Sequence, residues 1–163
     1  MVSTKGSRPG GADRRLQDLG IQLPAAPTRL GTYVETVQTG NLLFSFSGML
    51  PVGDHKPKYL GPPGKEPNTE AARDAAYTAA LNVLAATKEH LGSLDRVARV
   101  VRLGVSIATS AEFCDQLTAA DAASDLFRDV FGMERASVRV VIGVASLPLG
   151  VPIEVDVTFE VAE

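Results

Sequence analysis

Alternation of apolar and polar side chains is clearest in the last third of the chain. Val138 opens the run Val-Arg-Val-Val-Ile-Gly-Val-Ala, and Pro152 opens Pro-Ile-Glu-Val-Asp-Val-Thr-Phe-Glu-Val. Successive strand side chains point to opposite sheet faces. Val138, Val140, Ile142 and Val144 therefore share one face, and Arg139, Val141, Gly143 and Ala145 the other. In the second run Ile153, Val155, Val157, Phe159 and Val161 oppose Glu154, Asp156, Thr158 and Glu160. If the two runs pair as a hairpin through residues 146–150, their wholly apolar faces must coincide, because a one-residue slip would bury the charges. That pairing predicts Arg139 and Glu154 on one sheet face, with Gly143 and Ala145 leaving room beside them.

The same reading extends upstream. Residues 1–11 are polar and rich in Gly and Pro, the pattern of a flexible arm. A helical leader over 12–26 follows, with a short helix from Ala12 to Leu19 closed by Gly20 and an apolar patch of Leu16 and Leu19. Residues 27–163 form the main domain. Its first hairpin pairs 31–38 with 41–47, and Leu42, Phe44 and Phe46 alternate there with Leu43, Ser45 and Ser47. A long loop spans 52–68, with a short strand at 58–60. A helix then starts after Asn68 or Thr69 as N-cap and runs to about Leu91, with Ala72, Ala76, Ala79, Ala80, Val83, Ala86 and Leu91 near one stripe. Residues 97–108 read as a strand with Val97, Val101, Leu103, Val105 and Ile107 on one face, which sends Arg99 and Arg102 to opposite faces. The capping-box pattern Thr109-Ser110-Ala111-Glu112 opens a second helix that ends at Phe131 before Gly132. Phe113, Leu117, Leu126, Phe127 and Phe131 are its expected core residues. Two helices on one face of a mainly antiparallel sheet make an α+β domain.

Composition narrows the chemistry. At 163 residues the chain suits one globular domain. A net charge of −3 offers no basic surface for nucleic acid or an anionic membrane. No apolar run approaches the roughly 20 residues of a membrane span, and the start lacks the apolar core of a secretory signal. One cysteine, Cys114, suits a reducing compartment, so a cytoplasmic location is expected. Cys114 reads as a small hydrophobe buried in a helix rather than a nucleophile. His55 reads as an exposed loop residue and His90 as a charge near a helix C-terminus. Two isolated histidines and one cysteine make a dedicated zinc site an unfavoured reading. What remains is Arg139 with Glu154. An exposed Arg–Glu pair is worth only about 0–1 kcal/mol, so by pattern alone a solvated surface pair is the default. An arginine fork also suits a small carboxylate, and a neighbouring carboxyl group can move protons.

Arg139, the β-formers after it, Leu147-Pro148, a short turn and Ile153-Glu154-Val155-Asp156 resemble the C-terminal signature of the RidA/YjgF family, the reactive-intermediate (imine) deaminases. Gly31-Thr32-Tyr33, Gly40-Asn41 and Ser47-Gly48-Met49-Leu50-Pro51 resemble the family's N-terminal pattern, and the likeness covers most of the chain after Pro27. The resemblance implies a chorismate-mutase-like α+β domain assembled as a homotrimer, with sites in the clefts between subunits. Together with the small residues beside Arg139 and Glu154, it predicts that the Arg139/Glu154 face forms the interface. It further implies hydrolysis of a 2-imino acid or its enamine tautomer to a 2-keto acid and ammonia, as by a 2-iminobutanoate/2-iminopropanoate deaminase. Because such a substrate is already electrophilic, no metal or organic cofactor is implied. By the same resemblance Arg139 binds the carboxylate, Glu154 manages water and protons, and Tyr33 and Ser47 line the pocket.

Three departures bear on that picture. One extra residue between Asn41 and Ser47 leaves Ser45 and Ser47 as alternatives. Val141 stands where the family often has Cys, so only a backbone carbonyl remains there to orient water. Asp121 stands where the family places Asn, and an acid near an anionic substrate is unfavourable unless it is protonated or turned away. Besides the deaminase, two readings are open. One is a non-catalytic or differently selective member that binds another small carboxylate. The other is the ribonuclease or translation-inhibitor activity attributed to the family, against which the acidic charge and the lack of aromatic–basic interleaving argue.

Overall fold

Residues 10–27, 32–48, 69–110, 113–132 and 137–162 are described by the computed structural model. Five strands form one mixed sheet: β1 Thr36–Thr39, β2 Leu42–Gly48, β3 Val97–Ala108, β4 Val138–Val144 and β5 Ile153–Val161. Their order across the sheet is β1-β2-β5-β3-β4. Three α-helices, α1 Ala12–Asp18, α2 Thr69–Leu91 and α3 Gln116–Phe131, and two short 3-10 turns, Leu94–Arg96 and Pro148–Gly150, complete the described elements. The arrangement is α+β, as the periodicities predict. The expected loop over 52–68, with His55 and the strand at 58–60, lies outside the described residues.

β1 and β2 meet through Gly40 and Asn41, with Thr39 facing Leu42. Gly40 takes φ 57°, the positive value that a two-residue hairpin turn requires at its first central position. β1 begins later than the sequence suggests, so Tyr33 and Val34 precede it and are exposed.

The C-terminal pairing is not a hairpin. β5 inserts between β2 and β3 and is antiparallel to both. β4 lies at the far edge, parallel to β3 alone among the described strands. A parallel neighbour needs a crossover connection, which α3 provides. The expectation that β4 and β5 pair directly is therefore corrected, and with it the face assignment. Residues opposite one another in a ladder share a face. Arg139 lies in the row Leu103–Val157–Ser45, whereas Glu154 lies in the row Gly48–Ser106–Ile142. Leu103 and Val157 are buried under the helices, while Val138 and Ile142 are 69% and 50% exposed. Arg139 and Glu154 thus occupy opposite faces of the sheet.

Two further expectations change for the same nonlocal reason. The β3–β5 register shifts between Val97 and Arg99 and again between Val100 and Arg102. These irregularities bury Val100 in place of Val101. They also place Arg99 opposite Glu160 and Arg102 opposite Thr158, on one face instead of two. α3 begins at Gln116 with Asp115 as its N-cap residue, not at Thr109. Thr109 instead donates its hydroxyl to the Ser110 carbonyl. Leu117 consequently falls on the outer side of α3 and is exposed, and Cys114, ahead of the helix, is exposed as well.

The alanine stripe of α2 behaves as predicted. Ala72, Ala76, Ala79, Ala80, Val83, Ala86 and Leu91 are all buried, because methyl side chains let the helix backbone come close to the sheet. Phe127, Phe131 and Phe159 form an aromatic cluster with centroid separations of 5.8–6.4 Å. α1 adds Ala12 and Leu16 to the core, and Ile21 and Leu23 pack against it, whereas Leu19 is exposed. Asp13 ties α1 down through the Ser93 hydroxyl and Lys88.

Candidate functional site

The polar groups expected to act together form two separate clusters. The first lies where α3 crosses the edge strand β4. Asp121 and Ser124 are three residues apart on α3, so they project from the same helix face. Arg139 on β4 points at both: its Nη1 donates to Asp121 Oδ1 at 2.6 Å and to Ser124 Oγ at 3.0 Å. Arg139 and Asp121 keep 29% and 48% of their side-chain surfaces open to solvent. Asp121 is neither isolated nor turned away, because the guanidinium compensates its charge. Two positions along β4, Val141 is half-buried against the core. Beyond it Gly143 makes space for the start of α3, since a Cβ there would meet Thr109 Cγ2 at 2.9 Å and Gln116 Nε2 at 3.5 Å.

The second cluster is on the uncovered face. Glu154 sits on β5 between Gly48 of β2 and Ser106 of β3. Neither neighbour fills much space, and burial raises the Glu154 pKa above its ordinary value. A carboxyl group raised in this way is a better proton carrier near neutrality than a fully solvated one. Tyr33 is close by. Its phenol is raised first by burial and then by the negative charges of Glu35 and Glu154.

Ser45 and Ser47 belong to neither cluster within one chain. Both are buried beneath the helices, and the Ser45 and Thr36 hydroxyls lie 3.3 Å apart. Ser45 shares a cross-sheet row with Arg139, and Ser47 shares one with Val141. Three strand spacings separate the members of each row, roughly 14 Å. Arg139 and Glu154 are three residues and two strands apart, again roughly 14 Å before the opposite faces are counted. One protomer by itself does not converge these groups on a small molecule.

Ser124 was not singled out from the sequence. Its signal was present in the Asp121-x-x-Ser124 spacing, but that spacing acquires meaning only once Arg139 is known to face α3.

Residues 13–160 match the family described as "YjgF/chorismate mutase-like, putative endoribonuclease". The chain belongs to this family, also called RidA. The match takes in most of α1, which packs on α3. Protein TCP17 of Trypanosoma cruzi is 41% identical over 146 residues, covering 89% of this chain and 91% of that protein. The crystal structure of Agrobacterium tumefaciens Atu1372 superposes with a TM-score of 0.79 at 34% identity, covering 93% and 94% of the two chains. Escherichia coli TdcF, crystallised with bound serine, gives a TM-score of 0.55 at 26% identity and covers 85% of this chain and 94% of its own. Among the described residues no helix is long and apolar enough to cross a membrane.

Proposed function

We propose that the protein hydrolyses reactive 2-imino acids and their enamine tautomers to 2-keto acids and ammonia, as a homotrimer whose sites lie between subunits. The observation that carries this reading is Glu154, a carboxyl group raised by burial on a strand beside small residues, in a chain that also keeps Arg139. Arg139 holds the substrate carboxylate through its fork of donors. Glu154 transfers protons between the attacking water and the departing nitrogen. Tyr33 lies beside Glu154, and Val141 offers its backbone beside Arg139. Ser47, buried beneath the helices of its own chain, stays outside this site. The roughly 14 Å between Arg139 and Glu154 within a chain supports a site completed by a second copy, in which the Arg139 edge of one protomer faces the Tyr33/Glu154 face of the next. The interface face is then the one bearing Glu154, Val138, Val140 and Ile142, with Arg139 at its rim.

A second reading, a binder selective for another small carboxylate, is favoured by one observation: Arg139 is already paired with Asp121. Serine in TdcF shows that a relative takes a small carboxylate-bearing molecule.

The readings separate in a steady-state assay with an imino acid generated in situ by an amino-acid oxidase. Arg139→Ala should raise KM and lower kcat together, since a charge-assisted hydrogen bond is worth about 1.5–3 kcal/mol. Arg139→Lys should rescue little, because an ammonium lacks the planar fork. Glu154→Gln should leave KM near wild type and cut kcat by about 10²–10⁴-fold. A wild-type rate equal to the uncatalysed one would leave the binder; wild-type rates in both variants would make the pair ordinary surface charges.

A further inference from the structure

The cluster at the α3–β4 crossing carries an inference about ligand class, resting on the reading of Arg139 as the carboxylate-binding group. Arg139 Nη1 serves two acceptors at once, Asp121 Oδ1 and Ser124 Oγ. Asp121 engages through Oδ1 alone among the described residues. Both side chains remain partly open to solvent, so an incoming molecule meets a guanidinium and a carboxylate side by side, with no net charge between them. A plain carboxylate gains from Arg139 and loses to Asp121, because like charges repel as opposite ones attract. A ligand with a cationic nitrogen on the atom next to its carboxylate presents the complementary pair. Its carboxylate meets the remaining guanidinium donors and its nitrogen meets Asp121.

We propose that Asp121 is a specificity-determining residue that selects carboxylates bearing an adjacent ammonium or protonated imine over plain carboxylates. The protonated imino acid is such a ligand. Its hydrolysis, R–C(=NH₂⁺)–COO⁻ + H₂O → R–CO–COO⁻ + NH₄⁺, breaks the C=N bond, forms the C=O bond and passes both water protons to nitrogen. The organic product carries a net charge of −1, so Asp121 accepts the substrate and repels the keto acid. An asparagine at this position keeps the hydrogen-bonding shape but not that discrimination.

Isothermal titration of the full-length protein near pH 7 with L-serine and with glycerate tests this. The two probes differ at the nitrogen, where serine has ammonium and glycerate has hydroxyl. Wild type should bind serine about tenfold more tightly, the worth of one charge-assisted hydrogen bond. Asp121→Asn should weaken serine by about tenfold and strengthen glycerate, inverting the order. Equal affinities in wild type, or an unchanged ratio in Asp121→Asn, would overturn the selection. Arg139→Gln separates this from the underlying reading: loss of both ligands upholds Arg139 as the carboxylate anchor whatever Asp121 does. Undiminished binding of both in that variant, or no binding of either to wild type, removes the anchor and the selection together.

Discussion

At the scale of single residues, the chemistry depends on which charges have partners. Arg139 has two, Asp121 and Ser124, and an ion pair this exposed contributes only about 0.2–1 kcal/mol to stability. Its value is positional. Glu154 is the opposite case, a half-buried carboxyl group raised by loss of solvent. Because its folded pKa lies above the unfolded one, the folded state takes up the proton more readily. The group therefore favours folding below its unfolded pKa, and that contribution is lost as pH rises through the folded value. Glu154→Gln removes the charged form, so at about pH 7.5 the variant should melt at or above the wild-type temperature, with the gap closing by about pH 4. Thermal melts across that range check the sign; a gap that widens on acidification would show that Glu154 is stabilised as the anion.

At the scale of elements, β4 decides the layout. It has one described neighbour, β3, and its two faces meet unlike surroundings. Arg139, Val141 and Gly143 lean toward α3, while Val138, Val140 and Ile142 look outward. Gly143 lets the start of α3 lie against the strand. Gly143→Val should push Thr109 and Gln116 away and destabilise the fold by about 1–3 kcal/mol, the usual cost of forcing added carbons into a packed contact. Val138→Thr, on the outward face, should change unfolding of the protomer little. Urea titration of the two variants compares them, and equal losses would mean that the α3–β4 contact does not depend on the glycine. Across the sheet, Phe159 closes the aromatic cluster with Phe127 and Phe131. Its truncation to alanine should cost about 3–5 kcal/mol.

At the scale of the molecule, one face of the sheet is sheltered by helices and the other carries Val37, Phe44, Val101, Val138, Val140 and Ile142 exposed. Exposed apolar area on this scale marks an association surface, which agrees with the proposed trimer. Ile142→Asp places a charge on the β4 side of that face and should yield monomers, while an outward polar change on α3 such as Leu117→Ser should not. Light scattering on purified protein reads both. A wild-type protein that stays monomeric would remove the shared site, because Arg139 and Glu154 of one chain are too far apart to hold one small ligand.

Much of the architecture was legible because its determinants are local. The spacing of alanines placed α2 between Thr69 and Leu91, the turn residues Gly40 and Asn41 placed the first hairpin, and strict alternation placed β5 with its apolar side inward. The residue types of the candidate site were legible too, through the Arg139 and Glu154 segments. Which strands pair was not, because ladder partners are chosen by the whole sheet. β4 and β5 are adjacent in sequence and carry matching patterns, yet β3 lies between them. That insertion sends Arg139 and Glu154 to opposite faces, pairs Arg139 with Asp121 and leaves Val138, Val140 and Ile142 of β4 in the open. An apolar face seen in sequence says that it needs cover; only the tertiary structure decides whether a helix of the same chain supplies it or the face is left uncovered.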